Sequence, residues 1–582
     1  MFGMILGINS TGARVEIGSG IATELMNMHV VFENGKSKVL GEIDNIDGNV
    51  INIRFIGEII DNRLLGGVLR KPTLDSQIRI ISDSEVPLIL GTNNDDSFLL
   101  GNSPYYQNSP IFIDVNSFFS NHFAIFGNTG SGKTCGISRI IQNIFENDKL
   151  FPFRSNMFLF DASGEYYNAF HELNKINPNY NYRFITTSRT DLEKGEQLVI
   201  PPYLLNADDL SILLEANNHT QLSMINKMLE LARCFSKNDE ASNGYKDYLI
   251  AKAVMTILYS NSTAASKRDE IFSIIESCST ENFNLEAVVP GIGYTRKFRE
   301  CFLIDNNGQL SEIILLTEYV QTFIKSEYEK YKCPESGFYS LEDLEKALNF
   351  TLISDGWLRN ENSYSDATTL RVRLHTLLTG ENAKFFDFKD DVDIRGYISG
   401  LLVRGNQKYQ IVNINFNEID DSLARSITKI FSRFLYEFSK SLKEKGAIPI
   451  HILIEEAHRY IQNDQDRFLL GYNIFERIAK EGRKYGIMLG IITQRPLEMS
   501  ETVLSQCSNF LIFKMTHPSD VEYIRQMIPN ITDEIVEKQK TLQSGTCLGF
   551  GSAFKVPLIA HLDMPNPSPS SSNCDVKNKW HA

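Results

Sequence analysis

The chain has 582 residues, 42% of them hydrophobic and 22% charged, with a formal net charge of −14. That length fits about three to five domain-sized units, and ordinary globular composition excludes wholesale disorder, collagen-like repetition and coiled-coil rods. The acidic balance excludes a surface coated with basic groups, while leaving room for a local basic channel.

No uninterrupted apolar run approaches the ~18 residues that cross a bilayer. The start, Met1-Phe2-Gly3-Met4, lacks the basic flank and apolar stretch of a signal peptide. The reading is a soluble, cytoplasmic protein with no membrane partner. Cys135, Cys234, Cys278, Cys301, Cys333, Cys507, Cys547 and Cys574 are scattered. None sits in a Cys-x-x-Cys pair or at zinc spacing, so they read as reduced, mostly buried small residues.

Residues 1–115 predict an all-β, barrel-like assembly domain. Alternating stretches such as Val50–Phe55 and Gln77–Ile81 are separated by Gly, Asn and Asp. From 116 the pattern becomes strand–helix alternation, which predicts a parallel sheet with crossover helices. The run His122–Phe126 leads into a glycine loop and then a helix with Ile137, Ile140, Ile141, Ile144 and Phe145 on one face. Met157–Asp161 is the next strand. Residues 206–345 read as a helical insertion, in which Leu222, Ile225, Met228 and Leu229 share a face. Ser340 with Asp343 resembles a capping pair. Alternation resumes over 346–563, with strands expected at 410–416, 449–455, 487–493 and 510–513. The Pro- and Ser-rich end, 564–582, predicts a disordered tail. The chain has no internal repeat.

Gly127-Asn128-Thr129-Gly130-Ser131-Gly132-Lys133-Thr134 fits G-x-x-x-x-G-K-[ST]. Glycines let the loop fold with its N–H groups inward, and the following helix adds its positive end. Lys133 is placed for β- and γ-phosphates and the Thr134 hydroxyl for Mg²⁺. This predicts a nucleotide site.

Such a site also needs an acid near the metal and a group that orients water. Ile450–Ile454 is an apolar strand ending in Glu455 and Glu456. Glu455 is assigned to Mg²⁺, through water given its extra methylene relative to Asp. Glu456, facing the other way on the pleat, is assigned to the attacking water. Ile491-Ile492-Thr493 is a second apolar strand end, and Gln494 after it can sense the γ-phosphate. Arg477, Lys480, Arg483 and Lys484 place cations at the end of a preceding helix, which the helix dipole alone would favour. If subunits form a ring, Arg483 can instead reach a neighbour's nucleotide.

Five stretches together resemble the HerA family of ring-shaped DNA-translocating ATPases, within the group that includes FtsK-like pumps. They are Gly127–Thr134, Asp161-Ala162-Ser163-Gly164-Glu165-Tyr166, Ile454–Arg459, Glu481–Gly486 and Thr493–Pro496. The chain departs from the family pattern at Glu455, usually Asp, and at Ala162-Ser163, usually Pro-His. The resemblance implies an α/β, RecA-like P-loop core behind a small N-terminal β-barrel, interrupted by a helical insertion. It implies ATP and Mg²⁺ as cofactors, a homo-hexamer, double-stranded DNA in a central pore and Arg483 acting in trans. It also implies a separate effector subunit, a nuclease or a sirtuin-like NAD-consuming enzyme, in antiphage defence or DNA-end processing. The alternative is a nucleotide-gated scaffold that activates a partner without processive movement.

Overall fold

The computed structural model describes residues 2–18, 25–35, 37–147, 149, 151–359, 361–462, 466–527, 533–570 and 576–581. Cys574 lies outside them. The described cysteines are all free thiols.

The first β region is a curled antiparallel sheet. Its strands run in the order Phe2–Ile8, Gly12–Ile17, Val50–Ile60, Ser37–Asp47, His29–Asn34, Gln77–Ile80, with Arg63–Gly66 added along Val50–Ile60. Alternation along these strands puts Val15, Val30, Phe32, Val39, Ile43, Ile51 and Ile53 into one core. Register shifts where Ser37–Asp47 pairs with Val50–Ile60 bend the sheet. The unit ends earlier than the predicted border at 115. Strands Ser97–Asn102 and Pro110–Asp114 pair instead into the large central sheet.

That central sheet holds the parallel strands Tyr182–Thr186, Ile411–Asn415, Met157–Asp161, Ile450–Ile454, Ile487–Thr493, His122–Phe126 and Cys507–Ile512, in that spatial order. The antiparallel strands Thr546–Gly551 and Leu558–His561 continue it toward Ser97–Asn102. Strands such as His122–Phe126 and Ile487–Thr493 are buried at every position, as parallel strands covered on both faces must be. The strand carrying Thr493 sits between the strand of the glycine loop and the strand ending at Ile454. This is the RecA-like arrangement, so the predicted α/β core is present.

The helical part spans Gln197–Ile394 together with Asp464–Asn473. Helix Leu341–Ser354 packs on helices His219–Phe235 and Ala264–Cys278. Ser340 Oγ accepts from Asp343 N–H (3.2 Å) and Asp343 Oδ2 accepts from Ser340 N–H (2.9 Å), the reciprocal cap expected there. The predicted border at 345 therefore falls inside a helix, because apolar periodicity runs straight through it.

The tail differs from expectation as well. Residues 564–570 are ordered, with Gln142 bonded to the backbone of Asn566 and Pro567.

One buried group makes the sheet sensitive to acid. Leu489 N–H donates to His122 Nδ1 (2.9 Å), and Nε2–H donates to Ala479 O (3.0 Å), so the ring is neutral. Burial lowers its pKa to about 4, whereas an unfolded histidine titrates near 6.5. As pH falls through 6.5 the unfolded chain takes up a proton that the folded chain refuses, so stability is lost with falling pH. This ring alone should withdraw about 2 kcal/mol between pH 7 and pH 5. Urea unfolding at the two pH values measures it, and the difference should shrink by that amount in His122→Gln.

Candidate functional site

Because the strands are parallel, their C-terminal ends gather at one edge of the sheet, where open α/β sheets place their ligands. Strand His122–Phe126 ends in the glycine loop. Met157–Asp161 ends in the turn through Glu165, Ile450–Ile454 in the two glutamates and Ile487–Thr493 in Gln494. A cleft of about 390 Å³ lies between these ends. Asn128, Lys133, Thr134, Glu165, Glu455 and Glu456 are among its walls.

The loop is shaped for close backbone approach. Gly130 and Gly132 have φ of 75° and 103°, and a Cβ on Gly132 would stand 2.8 Å from Gly545 N. Ser131 Oγ donates to Asn128 O (2.7 Å), and Gly545 N–H donates to Ser131 O (3.0 Å), which fixes the loop from both sides. Lys133 Nζ is folded onto Gly127 O (2.6 Å) and Asn128 O (3.2 Å), and only 9% of the residue is exposed. Burial lowers its pKa, against the charges of Glu456, Glu455 and Glu165, so the ammonium is held where an anion would be welcome.

Asp161 explains the turn that follows its strand. Its carboxylate is fully buried and accepts from Gly164 N (2.7 Å), Glu165 N (3.1 Å), Tyr166 N (3.1 Å) and Asn413 Nδ2 (3.2 Å). Four donors satisfy a charge that would otherwise be costly to bury. Gly164 at φ 70° completes the turn and delivers Glu165 beside the Thr134 hydroxyl. Burial raises the pKa of Glu165, with Asp161 and Glu456 adding to the effect. Sequence reasoning singled out this turn but gave Glu165 no task. The signal was there, an acid directly after an obligatory glycine.

The two glutamates do not alternate across the pleat as expected. The strand ends at Ile454, and Glu456 takes a left-handed backbone (φ 46°), so both carboxyls line the same cleft. Glu455 is 5% exposed and accepts from Ser163 N–H (3.2 Å). Burial, then the charges of Asp161 and Glu165, hold it well above the usual carboxylate range. A buried carboxyl crowded by other acids is what a divalent cation would neutralise, so the residues fit Mg²⁺. Among the described residues, no group of three or more His, Cys, Asp or Glu side chains is arranged to hold a metal by itself. Mg²⁺ here would rely on the Thr134 hydroxyl, Glu455 and the phosphate oxygens of a nucleotide.

Thr129 Oγ1 donates to Gln494 Oε1 (2.8 Å), which brings Gln494 to the loop. His458, also without an assigned role in the sequence, pairs Nδ1 with Thr493 Oγ1 (3.0 Å) and lies 3.3 Å from Glu456 Oε2. Burial lowers the His458 pKa, so the ring is neutral and the contact with Glu456 is not an ion pair.

Arg483 is not brought to this cleft. It sits in the turn Gly482–Tyr485, before strand Ile487–Thr493, at the opposite end of the sheet. With about 3.3 Å per strand residue it stands about 20 Å from Gln494. Its side chain is exposed. The turn requires its glycines: a Cβ on Gly482 would meet Ile487 O at 2.7 Å, and Gly486 has φ 77°.

The family described as helicase HerA, central domain, matches residues 98–283. A probable DNA double-strand break repair helicase HerA of Methanocaldococcus jannaschii is 23% identical over 95% of this chain and 93% of its own. The chain is thus similar to the HerA helicases over most of its length. The HerA of Sulfurisphaera tokodaii, named a DNA double-strand break repair helicase, is 30% identical over 34% of this chain, and the match spans 40% of that relative's length. Among solved structures, VirB4 of Thermoanaerobacter pseudethanolicus aligns with this HerA-like chain at a TM-score of 0.45 and 10% identity, covering 81% of this chain and 98% of that one. No helix among the described residues of the HerA-like chain is long and apolar enough to cross a membrane.

Proposed function

We propose that the chain hydrolyses ATP with Mg²⁺ and, as a homo-hexameric ring, moves along double-stranded DNA. One observation carries the ring: the phosphate loop and the glutamates share one cleft and Gln494 is bonded to that loop, while Arg483 is exposed at the far end of the strand that leads to Gln494. A cation so placed can complete a neighbour's site but not its own. In this reading Lys133 and the N–H groups of Gly127–Thr134 hold the triphosphate. The Thr134 hydroxyl and Glu455 would hold Mg²⁺, which supplies charge neutralisation at the β- and γ-oxygens when bound. Glu456 accepts the proton of the attacking water, Gln494 reads the γ-phosphate and Arg483 stabilises charge across the subunit border.

The names of the relatives support DNA as the track. The partner in this proposal is a separate effector enzyme, a nuclease or an NAD-consuming subunit, serving DNA-end processing or antiphage defence. Steady-state ATP hydrolysis with and without linear duplex tests the motor, using Lys133→Ala as the blank. Stimulation of about tenfold or more, equal to about 1.4 kcal/mol off the barrier, is expected. Hydrolysis above the blank that ignores duplex would overturn the motor in favour of a nucleotide-gated scaffold.

A further inference from the structure

Once the phosphate loop and the carboxylates are assigned, one wall of the cleft is left over. It consists of Ser544, Gly545, His561, Leu562, Met564 and Ser570. None of these is a lysine or an arginine, so this wall is not built for phosphate. It offers a thioether, an imidazole, a leucine and two hydroxyls, which suits a flat, weakly polar ring system with sugar hydroxyls beside it.

The wall is held in place by specific bonds. Gln142 lies on the buried face of helix Lys133–Glu146 and is itself fully buried. Its Oε1 accepts from Asn566 N–H (2.9 Å), and its Nε2 donates to Pro567 O (2.8 Å) and Ala169 O (3.0 Å). A buried amide is tolerable only when satisfied in this way, so the position ties the C-terminal segment to the helix that starts at the phosphate loop. Further along, Ser570 N–H donates to Glu165 O (2.8 Å), and Ser570 Oγ accepts from Asn168 Nδ2 (2.8 Å). At the other end, Leu562 N–H donates to Gly545 O (2.9 Å), whose own N–H holds Ser131. The segment is thus anchored to the loop, to its helix and to the turn carrying Glu165. Met564 nonetheless stays 69% exposed at the cleft.

We propose that Leu562–Ser570 forms the nucleoside wall of the site, with Met564 and His561 packing against the base of a bound nucleotide. This rests on the nucleotide reading given above and extends it to a segment whose Pro- and Ser-rich composition predicts free chain. Binding of the nucleoside and ordering of the C-terminal segment are then linked, each favouring the other.

Competition of ATP and of inorganic tripolyphosphate against a fluorescent ATP analogue, on the full-length chain, separates the wall from the phosphate loop. In a double variant, His561→Ala with Met564→Ala, ATP should bind about tenfold more weakly while tripolyphosphate is unaffected. Equal weakening of both ligands, or unchanged ATP binding, would overturn the proposal. Met564→Trp is an independent check, because its emission should be quenched by ATP and not by tripolyphosphate. Equal response to the two would again overturn it. Failure of the wild-type chain to bind either ligand would remove the nucleotide reading and this inference together.

Discussion

Glu456→Gln should bind ATP as tightly as the wild type and turn it over about 10²–10⁴-fold more slowly, the range for losing a positioned general base. The geometry makes this residue the sharpest test of the site. Glu456 stands just past the end of its strand, in a left-handed conformation that aims it into the cleft. Its Oε2 is buried without any hydrogen-bond partner, and His458 Nδ1, 3.3 Å away, belongs to a ring whose pKa burial lowers. An unpaired buried carboxylate oxygen is costly unless something completes it, and a water beside the γ-phosphate would do so. Glutamine keeps the volume and the contact with His458 but cannot take a proton. Nucleotide affinity by calorimetry and single-turnover hydrolysis together read the outcome. Turnover within tenfold of wild type would move the base to Glu165, which lines the same cleft and whose pKa burial raises.

The distance between sequence and structure at this site is instructive. Glycine-loop spacing and apolar strands are local properties, so the loop, strand Ile487–Thr493 and the strands seen at Ile411–Asn415 and Ile450–Ile454 were legible within a residue or two. The sense in which Glu455 and Glu456 face was not. Pleat alternation holds only while the strand lasts, and this one stops one residue too soon. The border near 115 failed for a related reason. Strands Ser97–Asn102 and Pro110–Asp114 alternate as the N-terminal strands do, and alternation cannot say which sheet a strand joins. The tail failed because its order depends on bonds to Gln142, more than four hundred residues away in the chain. Composition judged the segment by what it can bury, whereas it is held by polar bonds to a buried side chain.

Arg483→Ala should lower hydrolysis by about 10³-fold or more, as loss of a trans-acting arginine does, while ATP still binds. Loss of activity alone would not locate the arginine, since an exposed residue that merely supports the ring would also inhibit when removed. Mixing resolves this. A subunit carrying Glu456→Gln has a dead site of its own but still offers Arg483 to its neighbour. A subunit carrying Arg483→Ala has an intact cleft but nothing to offer. If the arginine acts across the border, co-assembly of these two inactive chains creates borders where an intact cleft meets an intact arginine. With random placement in a closed ring these are about a quarter of all borders, so about a quarter of wild-type turnover should return. If the arginine serves its own cleft, no pairing of the two chains makes a complete site and nothing returns. The structure argues for recovery. The arginine turn, whose geometry needs Gly482 and Gly486, leads into a strand that is buried at all seven positions. His122 pins the helix before the turn to the same strand through Ala479 O and Leu489 N–H. That strand ends at Thr493, so one fully buried element has the exposed Arg483 turn before it and Gln494, bonded to the phosphate loop, after it. Displacement of Arg483 by a neighbour's nucleotide would therefore reach Gln494 with little loss. Recovery in the mixed ring, but not in rings of the doubly substituted chain alone, is the result that fits this arrangement.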